Sequence, residues 1–216
     1  MQTLSPAQTA GGVRKAGGFR KAGSFAFAFL DCEFGGLDPE RHDITEVALI
    51  LTDYRLVEQC RGEWKIHARA DRISAEGAAI GGYDPEAWKD APPLRQVLTE
   101  LTELLPKGVT VVPAGQNVRM DVLFLERGFR GCGLPYPFDY HVIDLATLFY
   151  AWSLVVGEPV SALSLRQAAL TAGLIEDSVP HRALADTELT LETFRYFIGR
   201  LAPRDPSDWI VPIGSD

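Results

Sequence analysis

Apolar residues in the first half of the chain form short runs that predict three consecutive strands. Residues 25–30 are apolar without a break, which is typical of a central strand buried on both faces. Residues 44–52 predict a second strand, and residues 57–67 predict a third with partial alternation of polar and apolar positions. Turn-forming residues precede each of these strands, so the three together predict a meander.

The second half of the chain changes from strand-like runs to apolar positions at helical spacing. Five helices are predicted, at residues 92–105, 118–129, 145–156, 163–172 and 183–201. Short apolar strands are predicted between them, at residues 109–113 and 141–144. Strands followed by interleaved helices and strands predict an α/β fold, with a mixed sheet of about five strands flanked by helices.

The two ends of the chain differ in composition from this central part. Residues 1–24 are rich in small and polar residues, contain four basic residues and no acidic ones, and predict a disordered basic tail. This tail contains a tandem repeat, since residues 14–19 resemble residues 20–25. We expect one domain over residues 25–202, because 216 residues are enough for one substantial core. Residues 203–216 are interpreted as a C-terminal extension.

Charge and cysteine content restrict the classes of function. The formal net charge is −8, and it divides into +4 for residues 1–24 and −12 for the remainder, which has 17 basic and 29 acidic residues. This balance argues against a protein that coats nucleic acid nonspecifically, but carboxylates that bind metal ions also produce it. The cysteines, Cys32, Cys60 and Cys132, form no C-x-x-C pair. No apolar run approaches membrane-spanning length and no secretory signal is evident, so a cytoplasmic protein without a membrane partner is expected.

Two carboxylates follow the most hydrophobic strand. Asp31 and Glu33 are two positions apart, so both side chains should project from the face of the strand that also carries Phe29. Acids beside phenylalanines are unfavourable unless they are neutralised or bind cations, and a divalent metal ion meets this need. The alternative is a polar pair that caps the turn at Gly35-Gly36, and for an isolated D-x-E this alternative would be preferred.

Further candidate residues lie on two of the predicted helices. Asp121 falls on the inward stripe of its helix and therefore needs a partner, either a metal ion or a buried hydrogen bond to backbone or to Arg119. His181 precedes Asp186 by five positions, and the two side chains converge only if His181 lies in the loop before the helix. Such a histidine suits a general base, although a lone surface histidine at a helix start is also common.

Together, these segments resemble the three motifs of the DEDDh exonuclease superfamily, which includes ribonuclease T, oligoribonuclease and the proofreading subunit of bacterial replicative polymerase. The matching segments are DCEFGGLDP at 31–39 with ITEVALI at 44–50, GQNVRMDVLFL at 115–125, and HRALADT at 181–187. The resemblance runs from about Phe25 to Leu201. Three motifs in the right order are far more specific than one D-x-E.

This resemblance implies a ribonuclease H-like fold and a two-metal 3′–5′ exonuclease that releases nucleoside 5′-monophosphates from nucleic-acid 3′ ends, single-stranded ones above all. Asp31, Glu33 and Asp186 would hold one Mg²⁺ or Mn²⁺ ion, and Asp31 with Asp121, through water, would hold the second. His181 would accept the proton of the attacking water. Stand-alone relatives are often homodimers, so a homodimer is a possible assembly.

Substrate contacts are implied at three positions. Phe34 and Leu37 match residues that contact the terminal base and sugar in relatives, and Asn117 matches a residue that approaches the substrate. The chain departs from the pattern at Gln116, where relatives often have histidine, and at Phe34, which replaces a small hydroxyl residue. The second departure changes a residue at the terminal-nucleotide contact, and neither departure removes a metal ligand.

Two other functions fit the same motifs. A non-catalytic nucleic-acid-binding module could keep the fold, but all five DEDDh residues are present. A polymerase-associated subunit is a third hypothesis, and the absence of a clamp-binding pattern after Leu201 favours a stand-alone enzyme.

Overall fold

The computed structural model describes residues 14–15, 25–179 and 182–201. Its strands form a six-stranded sheet in the order β1-β4-β3-β2-β5-β6. The strand bounds are β1 Arg14–Lys15, β2 Phe25–Phe34, β3 Ile44–Asp53, β4 Glu58–Lys65, β5 Thr110–Gly115 and β6 Ile143–Asp144.

The sheet is mixed, as the sequence predicts. Strands β2, β3 and β4 form the predicted antiparallel meander, whereas β5 runs parallel to β2 and β6 runs parallel to β5. Five of the strands lie in the predicted domain. Because β2 and β5 are parallel neighbours, their carboxyl ends meet at one edge of the sheet, which is where ligands bind in sheets of this kind.

The sixth strand, β1, differs from the prediction for the N-terminal segment. Arg14 and Lys15 pair with Arg61 and Cys60 of β4, although the sequence predicts disorder for residues 1–24. Without β1, the outer edge of β4 would leave backbone groups without a sheet partner at these positions, and a short extended segment can pair with such an edge whatever its own composition. The other residues of that segment lie outside the described ranges.

Six α-helices accompany the sheet within the described ranges. They are α1 Ala75–Gly81, α2 Leu94–Leu104, α3 Arg119–Gly131, α4 Leu145–Val156, α5 Leu165–Ala172 and α6 Ala183–Leu201. Helix α1 is not predicted from the sequence, and a 3₁₀ turn at Ala70–Arg72 precedes it. Among the described residues, no helix is both long and apolar enough to span a bilayer.

Alternating side chains on β2 separate two hydrophobic clusters on opposite faces of the sheet. Ala28 and Leu30 belong to the cluster that includes residues from α2 and α3. Phe29 belongs to the cluster that includes residues from α4, α5 and α6. Each fully buried aliphatic or aromatic side chain stabilises the fold by about 1.5–3 kcal/mol, so both faces of β2 hold it rigidly. The next residues along β2 are therefore well placed for a site that needs fixed geometry.

Candidate active site

Asp31 and Glu33 lie at the carboxyl end of β2. Side chains alternate along the strand, so both carboxylates project from the face that carries Phe29, while Cys32 points into the opposite core. Both acids are partly buried. The sequence prediction that they share one face is consistent with this geometry.

Asp186 approaches these two residues from the first turn of α6. One carboxylate oxygen of each of Asp31, Glu33 and Asp186 lies within 4.8 Å of the others. Asp186 is buried, with 8% of its surface exposed. Helix α6 packs across β2 and β3, and this packing brings a residue 155 positions further along the chain to Asp31. Three converging carboxylates are the oxygen ligands that Mg²⁺ and Mn²⁺ prefer.

Crowding and burial make these carboxylates difficult to ionise without a cation. Burial raises the pKa of Asp31 well above its usual range, and the charges of Asp121, Glu33 and Asp186 raise it further. Burial, together with Glu46 and Asp186, raises the pKa of Glu33 to about 7. A divalent ion among the three would offset this repulsion, so these residues fit a metal site.

Asp121 reaches the same strand from α3. Its Oδ1 accepts a hydrogen bond of 2.9 Å from the backbone N–H of Cys32, and 4% of the residue is exposed. Burial raises its pKa to about 8, even though the bond from Cys32 acts in the opposite direction. The sequence left open whether Asp121 accepts a hydrogen bond from the backbone, and the structure shows that it does. The same bond holds Asp121 beside Asp31, where its charge raises the pKa of that neighbour.

His181, the predicted general base, lies outside the described residues. Helix α6 begins at Ala183, and the N–H of Asp186 donates to the carbonyl of Arg182 at 2.9 Å. The convergence of His181 with Asp186 therefore stays a prediction.

The three predicted substrate contacts lie in different environments. Leu37 is 78% exposed in the turn after β2. Asn117 is also exposed, and it has a left-handed backbone with a φ of 53°, which asparagine adopts more readily than most residues. Phe34 instead stacks on Phe124, with ring centroids 4.0 Å apart, and is partly buried against the core. Much of the Phe34 ring is therefore occupied by protein contacts.

Sequence reasoning did not single out two charged residues beside this site. Glu46 is fully buried on β3, directly opposite Glu33, and it forms an ion pair with Arg182. A single acid within the largely apolar run at residues 44–52 was the signal that could have identified Glu46. No comparable signal marks Arg182, because arginine is common in the sequence and is usually exposed.

Comparison with known proteins identifies the family. The model of a family described as Exonuclease, RNase_T, matches residues 28–194, which is well over half of the chain. The oligoribonuclease of Paracidovorax citrulli is 26% identical over 182 residues, which cover 79% of this chain and 86% of that protein. The oligoribonuclease of Rhodococcus jostii is also 26% identical, over 78% of this chain and 84% of that protein.

Solved structures support the same fold. The complex of E. coli exonuclease I with single-stranded DNA and zinc has a TM-score of 0.68 and 20% sequence identity, and the match covers 82% of this chain. This chain spans 41% of that exonuclease I chain. A 3′-exonuclease that recognises the histone mRNA stem-loop has a TM-score of 0.63 and 17% identity, covering 82% of this chain and 63% of that one. The fold is thus ribonuclease H-like, and the chain belongs to the DEDDh superfamily of 3′–5′ exonucleases.

Proposed function

We propose that this protein is a metal-dependent exonuclease that hydrolyses phosphodiester bonds at nucleic-acid 3′ ends and releases nucleoside 5′-monophosphates. The observation that carries the proposal is the convergence of Asp31, Glu33 and Asp186 within 4.8 Å of one another. These residues come from two of the three sequence motifs, and Asp121 from the remaining motif is bonded to the same strand. A non-catalytic binding module would not need three carboxylates in such an unfavourable arrangement.

The acidic residues divide between two proposed metal positions. Asp31, Glu33 and Asp186 would hold one Mg²⁺ or Mn²⁺ ion, and Asp31 together with Asp121, through water, would hold the second. Two such ions supply Lewis-acid stabilisation of the attacking and leaving oxygens of an in-line phosphoryl displacement. The protein contributes rigid placement, because β2 fixes two of the carboxylates, α6 fixes a third and the Cys32 N–H orients Asp121.

Proton transfer is assigned to His181. The usual pKa of histidine is near neutrality, so a histidine can accept the proton of the attacking water and return it to solvent after each turnover. The protein would bind the terminal nucleotide through Leu37 and Asn117, which are exposed near the motifs that carry Asp31 and Asp121. Phe34 is proposed as a third contact, made by the part of its ring that Phe124 leaves accessible.

Single-stranded 3′ ends are the proposed substrate. The relatives at 26% identity are oligoribonucleases, and the exonuclease I structure contains single-stranded DNA. A single strand can bring its terminal phosphodiester to these carboxylates without first being separated from a complementary strand. The cytoplasmic location expected from the sequence stays a prediction.

A homodimer is proposed as the assembly. Helix α4 contains no charged residue, and its exposed side includes Tyr150, Leu154 and Val155, which are 52%, 65% and 73% exposed. An uncharged apolar surface allows two copies of an acidic chain to associate. Light scattering after size-exclusion chromatography would test this: a dimer that Leu154→Glu converts to a monomer supports the proposal, and a wild-type monomer contradicts it.

The activity itself is tested with end-labelled single-stranded DNA and RNA in Mg²⁺ or Mn²⁺, with EDTA as a control. We expect stepwise shortening from the 3′ end by the wild-type protein and none by Asp31→Ala. Asp177→Asn is the matched control, since this acid is highly exposed and pairs only with Arg166 at the surface among its described contacts. No metal-dependent shortening of either polymer would favour a binding module instead.

A further inference from the structure

Glu46 is a buried acid for which the proposed reaction has no use. It has no exposed surface, and it lies on β3 directly opposite Glu33. Like charges on opposing residues of neighbouring strands are destabilising, so an acid at this position needs a specific compensating partner.

Arg182 is the main compensating charge, ahead of Lys65. Its Nη2 lies 2.7 Å from Oε2 of Glu46. The guanidinium also lies 5.8 Å from the centre of the Trp88 ring, within the range of a cation–π contact. Trp88 is itself almost fully buried and is held edge-to-face by Tyr83. The Arg182 side chain is therefore fixed by a strand on one side and by an aromatic ring on another.

Arg182 immediately precedes α6. Its carbonyl accepts the hydrogen bond from the N–H of Asp186, so it closes the first turn of the helix. Any shift of Arg182 would therefore move Asp186, a proposed metal ligand.

We propose that the ion pair between the buried Glu46 and the partly exposed Arg182 is a positioning device that sets the first turn of α6 against β2 and β3. The inference rests on the proposed function. Through this pair, Asp186 is held against Asp31 and Glu33. Neither member of the pair contacts the substrate or a metal ion in this role, so both are positioning residues.

Electrostatics and positioning predict opposite results when Arg182 is changed. Arg182 lowers the pKa of Glu33, so its positive charge acts directly on the carboxylate cluster. If Arg182 acted only as a charge, Arg182→Gln would make the site more negative and strengthen the binding of cations. If it positions α6, the same change would separate Asp186 from Asp31 and Glu33 and weaken cation binding.

The first experiment measures Mn²⁺ affinity by electron paramagnetic resonance, without substrate. We expect Arg182→Gln to weaken Mn²⁺ binding by about tenfold or more, which is the usual effect of removing a residue that orients metal ligands. Arg182→Lys keeps the positive charge but loses the planar guanidinium group. It should therefore weaken Mn²⁺ binding less than Arg182→Gln does. Unchanged or tighter Mn²⁺ binding by both variants would overturn the inference.

Arg195→Gln is the matched control. Arg195 also ties α6 to the sheet region, through two hydrogen bonds to the carbonyl of Leu56, but it lies nine residues beyond Asp186. We expect this variant to lower the melting temperature while leaving Mn²⁺ affinity unchanged. An equal loss of affinity in Arg195→Gln and Arg182→Gln would mean that helix stability alone explains the effect, and it would overturn the inference.

Kinetics and a double-mutant cycle complete the test. Glu46→Gln should weaken Mn²⁺ binding as Arg182→Gln does, and the double variant should be no worse than either single variant. In the nuclease assay, kcat should fall with little change in the substrate KM, and a higher metal concentration should restore part of it. Additive losses would contradict a shared role. Failure of the proposed function would appear differently, as a wild-type protein that binds Mn²⁺ but shortens no substrate.

Discussion

The two ends of β2 are built for different purposes. Its first half, from Ala26 to Leu30, is apolar and packs against helices on both faces of the sheet. Its second half places Asp31 and Glu33 close to further acids, and the pKa values of both are raised. The first half stabilises the fold, whereas the second half lowers the stability of the metal-free protein.

Helix α6 shows the same division. Phe194 and Phe197 are fully buried in its later turns, and Phe194 packs edge-to-face on Phe29 with ring centroids 5.1 Å apart. The first turn instead carries Asp186, which faces the carboxylates of β2. Unfavourable charge is thus confined to one end of two rigid elements, and mutations at the two ends should affect activity and stability separately.

The largest difference between the effect on activity and the effect on stability is expected for Asp31→Ala. This change should reduce exonuclease activity by about a thousandfold or more, since the proposed metal ions contribute several kcal/mol of transition-state stabilisation. In EDTA, the free energy of unfolding should stay equal to that of the wild type or rise, because one repelled carboxylate is removed. Initial rates and urea denaturation measure the two effects. A variant that loses both activity and stability would contradict the division of β2 into a half that stabilises the fold and a half that carries the site.

Phe194→Ala should show the reverse pattern. Removing a fully buried aromatic ring lowers the free energy of unfolding by about 3–5 kcal/mol. The folded fraction should keep its activity per active site, because Phe194 lies two helical turns beyond Asp186. Urea denaturation and active-site titration check this. A loss of activity larger than the unfolded fraction explains would show that packing and chemistry are not separable.

The pH dependence of metal-free stability provides a smaller test. The pKa of Glu33 rises from 4.5 to about 7, and that of Asp121 rises from 3.8 to about 8. A raised pKa in the folded state means that stability is present below the unfolded value and is lost as the pH rises through the folded value. In EDTA, the free energy of unfolding should therefore fall between about pH 4 and pH 8.

Asp121→Asn sharpens this measurement. The variant cannot ionise at this position, so its loss of stability between pH 7 and pH 8 should be smaller than that of the wild type. Saturating Mn²⁺ should also flatten the wild-type curve, since the ions favour the charged carboxylates. Parallel curves for the wild type and Asp121→Asn in EDTA would contradict the raised pKa.

The smallest effect is expected for Leu37→Ala. Because the side chain is 78% exposed, stability should change by no more than about 0.5 kcal/mol. Loss of one apolar substrate contact, worth about 1 kcal/mol, should lower kcat/KM about fivefold, mainly through KM. Val57→Ala, which alters an exposed residue in the turn between β3 and β4, is the control and should change neither quantity. Unchanged kcat/KM in Leu37→Ala would show that Leu37 does not contribute to substrate binding.

Much of the fold could be predicted because its elements have strong local patterns. The central strand and the helices α4 and α6 consist of long apolar or periodic segments, and the structure confirms them. Helix α1 was missed because AEGAAIG contains a single large apolar residue and no stripe, although Ser74 caps its start and Gly82 its end. Strand β1 was missed because its pairing depends on the open edge of β4 rather than on its own residues.

The acidic site was partly predictable because its residues also lie in recognisable local patterns. Residue spacing places Asp31 and Glu33 on one face, and three ordered motifs indicate which further acids join them. The burial of Phe34 against Phe124 depends on packing between β2 and α3, which no local pattern encodes. The Glu46–Arg182 pair joins residues 136 positions apart, so only the folded structure brings it into view.

Anomalous diffraction from crystals grown with Mn²⁺ tests the central claim most directly. The account predicts one Mn²⁺ ion bound by Asp31, Glu33 and Asp186, and a second ion between Asp31 and Asp121. Both peaks should be absent from crystals of Asp31→Ala prepared in the same way. Strong Mn²⁺ peaks elsewhere on the molecule, with none among these four carboxylates, would contradict the account.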